Sequence, residues 1–237
     1  MVNWRAILLI YTEINVRWRG NWFSRHSFSA QLTAREISDA LESFNSFPAL
    51  AHECSQGEVT VTITFANSPH PLTSVTEMGD GMYWPSPTDT KRTLDEFAPP
   101  GSFDSVFVLW PQNNSQTGEL IPSGGWGLGM GASDWSNGAT YATVANAPTE
   151  AWTRPRIGEV WLHEWLHGVC HHFAQQGYAM PDGDADGGGR HGYMQSDETG
   201  WCAFYEDLMR GNVLSDGQAT GIPAEAWRRG SIHHTTT

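Results

Sequence analysis

The chain has 237 residues, with 26 Asp and Glu against 13 Lys and Arg for a formal net charge of −13. Its arginines are scattered, which argues against nucleic acid or an anionic membrane as the main partner, since both require clustered positive charge. That length can bury a large core without disulfides. Nothing in the composition forces a split, so residues 1–237 read as one domain.

The opening stretch, MVNWRAILLIYTEI, contains an apolar run far too short to span a membrane. It also lacks the basic region and cleavage site of a signal peptide. A cytosolic protein and the mature domain of a secreted precursor both fit, the second being preferred. Within it, Arg5 to Tyr11 (RAILLIY) predicts a central strand buried on both faces. LTAREISDALESF predicts a helix: Thr33 and Glu36 form a capping box, Leu32 is placed to staple against Ile37, and Ile37, Leu41 and Phe44 share a face. EVTVTITF alternates Val59, Val61, Ile63 and Phe65 with threonines, the period of a strand.

Ser105 to Pro111 (SVFVLWP) predicts a further buried strand closed by proline. SGGWGLGMGASDW follows, a glycine-rich stretch whose backbone can approach other chain segments closely, and then ATYATVA as a short strand. A histidine-rich helix begins after Thr153 and Pro155 and stops at Gly177. The acidic loop YAMPDGDADGGGRHGYMQSDE leads to a last helix, where Trp201, Phe204, Tyr205 and Leu208 share one face before Gly211. The tail SIHHTTT, from about residue 230, predicts disorder. Cys54, Cys170 and Cys202 lie in no CxxC pair and read as buried thiols with at most one bridge.

The histidine helix carries the chemistry. In EVWLHEWLHGVCHHFAQQG, Leu162, Trp165, Leu166, Val169 and Phe173 cluster on one face, with His163 and His167 together on its flank. At i and i+4 two imidazoles can reach one zinc ion at about 2.0–2.1 Å. Glu164 points to the neighbouring side and can meet a water there without occupying a coordination position, as a general base must. His171 is two turns from His163, about 12 Å along the axis, too far to share its metal, and His172 points elsewhere.

His163-Glu164-Trp165-Leu166-His167 spells HExxH, and with it the chain resembles the zincin metallopeptidases, in particular uncharacterised bacterial proteins of HEWLH type. The resemblance covers the order of elements over residues 5–211. It implies an α/β (α+β) fold in which a twisted mixed sheet packs on the active-site helix, followed by a C-terminal helix. It further implies a zinc cofactor, a peptide or protein substrate, and an edge strand that pairs with extended substrate, a task for GWGLGMGASDW and ATYATVA. Cys170 and Phe173 stand where a metzincin would continue with glycine and histidine, which excludes that branch. The third ligand must then come from Asp182, Asp184, Asp186, His191, Glu198, Glu206 or Asp207. A gluzincin-like site would use Glu198 or Glu206; an aspzincin-like one would use an aspartate in the glycine-rich turn, and here Asp186, then Asp184, is preferred.

The acidic loop has a rival reading. Asp182, Asp184, Asp186 and Gly187 spell the first half of a calcium loop, although its twelfth position is Tyr193 rather than Glu. Tyr193, and behind it His191, is a candidate donor to the oxyanion that develops in hydrolysis. The expectation is therefore a zinc peptidase with Glu164 as base. A calcium-stabilised binding module with an inert motif and a zinc amidase acting on other amides stand as alternatives.

Overall fold

A computed structural model describes residues 1–19, 25–147, 152–153 and 155–233. Its elements run β1 (Val2–Ile10), β2 (Glu13–Arg19), β3 (Arg25–Gln31), α1 (Ala34–Cys54), β4 (Val59–Asn67), β5 (Thr76–Glu77), β6 (Tyr83–Trp84) and α2 (Lys91–Phe97). They continue with β7 (Ser105–Trp110), β8 (Gly127–Met130), β9 (Thr140–Ala145), α3 (Glu159–Gln175), α4 (Cys202–Arg210), β10 (Val213–Ser215), β11 (Gln218–Thr220) and α5 (Ala224–Arg228). Among the described residues no helix is long and apolar enough to cross a membrane.

The main sheet has the order β4-β1-β7-β9-β8, parallel except for β8, which runs antiparallel to β9 and whose outer edge pairs with no strand among the described residues. The fold is thus α+β with a mixed sheet. Strand alternation in β1 divides the core in two. Trp4, Ala6, Leu8 and Ile10 join the cluster under α1 and α3, whereas Ile7, Leu9 and the following Tyr11 join the cluster on the opposite face. The second cluster is closed by the β2–β3 hairpin, whose Ile14, Val16, Phe28 and Ala30 are buried. No expectation covered that hairpin, whose burial comes from the sheet face that it covers.

The predicted capping box is present: the Thr33 hydroxyl accepts from the Glu36 amide at 3.2 Å, and Glu36 accepts from the Thr33 amide at 2.7 Å. The helix it opens runs ten residues past the predicted stretch and through Pro48. Much of the tryptophan content becomes packing. Trp4, Trp165 and Trp227 contact one another, and the Trp4 and Trp165 indoles both donate to the Ser105 hydroxyl, at 2.7 and 3.0 Å. All three cysteines are free and buried, with no bridge between them. The tail corrects an expectation: Ser231 is buried, Ile232 packs on the core and the His233 amide donates to Asp104 at 3.0 Å, while residues 234–237 lie outside the described residues.

β8 lies flush on α3 because the two positions that face the helix, Gly127 and Gly129, carry no side chain. A Cβ at Gly129 would run into the Glu164 carbonyl oxygen and lie 2.7 Å from His167 Cβ, and one at Gly127 would run into the Glu164 carboxyl group. Gly129→Ala must therefore separate strand from helix, and overpacking of this kind costs about 1–3 kcal/mol. Gly125→Ala, with nothing within 4 Å of its Cβ position, should leave stability unchanged. Thermal or urea unfolding of the two variants measures the difference.

Candidate metal centre

α3 is preceded by Gly158 at its N-cap, whose left-handed φ of 89° brings it against the Ser46–Phe47 backbone of α1. Trp161, Leu162, Trp165, Leu166, Val169 and Phe173 are all buried in the core, so the opposite flank, with His163 and His167, faces a cleft of about 610 Å³. The His163 and His167 Nε2 atoms are 3.3 Å apart.

Asp186 reaches this pair from the loop after α3. The turn Asp184–Asp186 is a single 3₁₀ turn, closed by Asp186 N–H donating to Gly183 O at 2.8 Å. Its middle residue, Ala185, is buried in the core, and the flanking carboxylates are held on either side. Asp186 Oδ1 lies 3.4 Å from His163 Nε2, and its Oδ2 lies 3.8 Å from His167 Nε2. Among the described residues, His163, His167 and Asp186 are the group whose donor atoms converge. Ligands about 2.0–2.1 Å from a tetrahedral ion stand about 3.3 Å apart, so the spacing and donor types fit zinc.

Asp184, expected as an alternative ligand, is placed on the other ring nitrogen: His167 Nδ1 and Asp184 Oδ1 are 2.5 Å apart. The His163 Nδ1 lies 2.9 Å from the Tyr205 hydroxyl on α4. Each ring is thereby oriented through Nδ1 with Nε2 turned inward, the arrangement that fixes the tautomer of a ligating imidazole. Tyr205 entered the sequence analysis only as part of a packing face. Its signal was the adjacent run of aromatics on the last helix, which says nothing of a hydroxyl bonded to His163.

The remaining candidates are held elsewhere. Tyr193 packs on Phe204 and donates to Asp207 at 2.7 Å; it does not line the cleft, because the loop carries it onto α4. Asp182 pairs with Arg190 at 2.9 Å. With Asp184 at a histidine and Asp182 at an arginine, the three aspartates diverge instead of wrapping one calcium ion. Glu206 pairs with Arg210 at 3.3 Å, Glu198 is exposed, and His191 lies between the Leu214 and Asp182 carbonyls. His172 stacks edge-on against Trp4, and His171 lies against Gly131.

Electrostatics divide the centre. Burial pushes His163 down to about 4, helped by the charge of His167 and opposed by Asp186 and Asp184. Burial would lower His167 too, but its hydrogen bond to Asp184 and the surrounding carboxylates raise it overall. Glu164, only 5% exposed, lies 3.9 Å from His163 Nε2, and burial pushes it up to about 8.

No family model matches the chain, and no curated protein matches it. Among solved structures it is similar to metalloproteinase-II from Bacteroides fragilis, at 13% identity and a TM-score of 0.36, over 70% of this chain and 41% of that one. The chain thus spans less than half the length of that protein.

The elevated Glu164 has a consequence for the metal-free protein. The folded state keeps a proton that the unfolded chain releases above its ordinary 4.5, so this group lowers stability progressively as pH rises from 4.5 through about 8. Glu164→Gln should match the wild type near pH 5 and exceed it near pH 8 by on the order of a few kcal/mol. Denaturant melts across that range in the presence of a chelator measure the gap, and a gap that does not grow with pH would contradict the burial argument.

Proposed function

We propose that this protein is a zinc-dependent peptidase whose ion is held by His163, His167 and Asp186. The convergence of these three donors beside a buried glutamate is the observation that carries the reading. Bound there, zinc would supply Lewis acidity toward a water molecule and the carbonyl oxygen of a substrate.

The chain's own residues do the rest. Glu164 takes a proton from the attacking water and delivers it to the leaving amine; its carboxyl, held up to about 8 when no ion is present, can exchange a proton near neutral pH once a nearby cation lowers it. Asp184 and Tyr205 hold the two imidazoles by Nδ1. Gly127, Leu128 and Gly129 line the cleft on a strand whose outer edge is unpaired among the described residues, which suits a substrate in extended conformation and supports peptide over other amides.

Asp186→Ala, His163→Ala and His167→Ala should each abolish tight zinc binding. Asp184→Asn should weaken it about 10–100-fold, as loss of an orienting partner does, and Asp182→Ala should leave it unchanged. Zinc titrations against a competing chelator measure all five. Glu164→Gln should retain zinc and lose cleavage of a denatured protein. Cleavage by Glu164→Gln at the wild-type rate would refute its role, and full zinc affinity in Asp186→Ala would refute the ligand set.

A further inference from the structure

Past His163 the cleft continues toward the first turn of α3, where Glu159 lines its wall with Val160, Pro155, Trp201 and Tyr205. Glu159 is 8% exposed. Its Oε1 accepts from the Trp201 amide at 2.6 Å, while Oε2 is buried without a hydrogen-bond partner among the described residues. Burial raises this carboxyl above its ordinary range, against the pull of the Trp201 and Arg156 amides and the Arg156 charge. The Arg156 guanidinium is itself committed to Glu53 at 2.5 Å. Gly200 makes room for the group, since a Cβ there would collide with both carboxylate oxygens.

A buried carboxylate oxygen with an unused acceptor site is costly to keep unless something completes it. The surroundings select what that is. Among the described residues that line the cleft, Glu159, Glu164 and Asp186 are acidic and none is Lys or Arg, a field that favours a cation. Trp201 and Tyr205 add aromatic surface of the kind that holds the stem and charge of a cationic side chain. Glu159 precedes His163 by one helical turn, about 6 Å along the axis, within reach of a lysine or arginine whose backbone lies at the metal donors.

We propose that this end of the cleft is a recognition pocket for a lysine or arginine side chain next to the cleaved bond, with the Glu159 carboxylate as the partner of its ammonium or guanidinium group. The proposal rests on the peptidase reading, so its test has two arms. In the first, zinc-loaded wild-type protein digests a mixture of denatured proteins and the cut sites are mapped by mass spectrometry. Lys and Arg should be enriched about tenfold at one position flanking the cuts; cuts without a basic preference overturn the proposal.

In the second arm, butylguanidinium binding to zinc-loaded Glu164→Gln protein is followed by tryptophan fluorescence and compared with the Glu164→Gln/Glu159→Gln double variant. Affinity should fall about tenfold or more in the double variant, and equal affinity overturns the proposal. If no cuts appear at all, the peptidase reading fails, and the second arm alone decides whether Glu159 marks a cation site. If the double variant does not fold, the wild-type cut sites alone decide.

Discussion

The orientation of α3 about its own axis governs everything at the centre. Trp165 and Leu166 are the two residues inside the motif, and both are buried in the core. Trp165 is fixed further by its indole, which shares the Ser105 hydroxyl with Trp4 and so ties helix, β1 and β7 together. With that stripe locked inward, the helical period leaves His163 and His167 no direction but the cleft. The glycines of β8 complete the constraint, since only a strand with no side chain on the face toward α3 can lie against Glu164 and His167 and leave the carboxyl lining the cleft.

Orientation of the helix places two donors, and the third depends on a buried alanine. Ala185 anchors the 3₁₀ turn in the core, so its neighbours are carried up on two sides, one carboxylate to Nδ1 of His167 and one to the paired Nε2 atoms. The same turn thus supplies both a donor and an orienting partner. It also separates the three aspartates, which is why a sequence pattern that spells half a calcium loop does not fold as one. The price of this assembly is a cluster of acids around two imidazoles, in a cleft that among the described residues is lined by no Lys or Arg, an environment that favours cations of either kind, an ion or a substrate group.

The sequence was most informative where a period or a cap leaves a local signature. A strand around Arg5 to Ile10, the Thr33–Glu36 cap, a helix after Pro155 and the pairing of His163 with His167 follow from spacing alone, although the strand begins earlier, at Val2, and the helix later, at Glu159. Residues brought together by the chain's return were not legible in the same way. Nothing local distinguishes Tyr205, which bonds His163, from Tyr193, which bonds Asp207, nor says that Asp184 and Asp186 meet opposite nitrogens of the histidines. The β2–β3 hairpin and the packed segment Ser231–His233 were missed for a related reason: their burial depends on the sheet face they cover.

Zinc-edge anomalous diffraction from crystals of the wild-type protein tests the account at its centre. One anomalous peak is expected, bonded to His163 Nε2, His167 Nε2 and an Asp186 oxygen at about 2.0–2.2 Å, with Asp184 on Nδ1 of His167. An ion bound through Glu206 or Glu198, or no peak at the two histidines in zinc-soaked crystals, would contradict it.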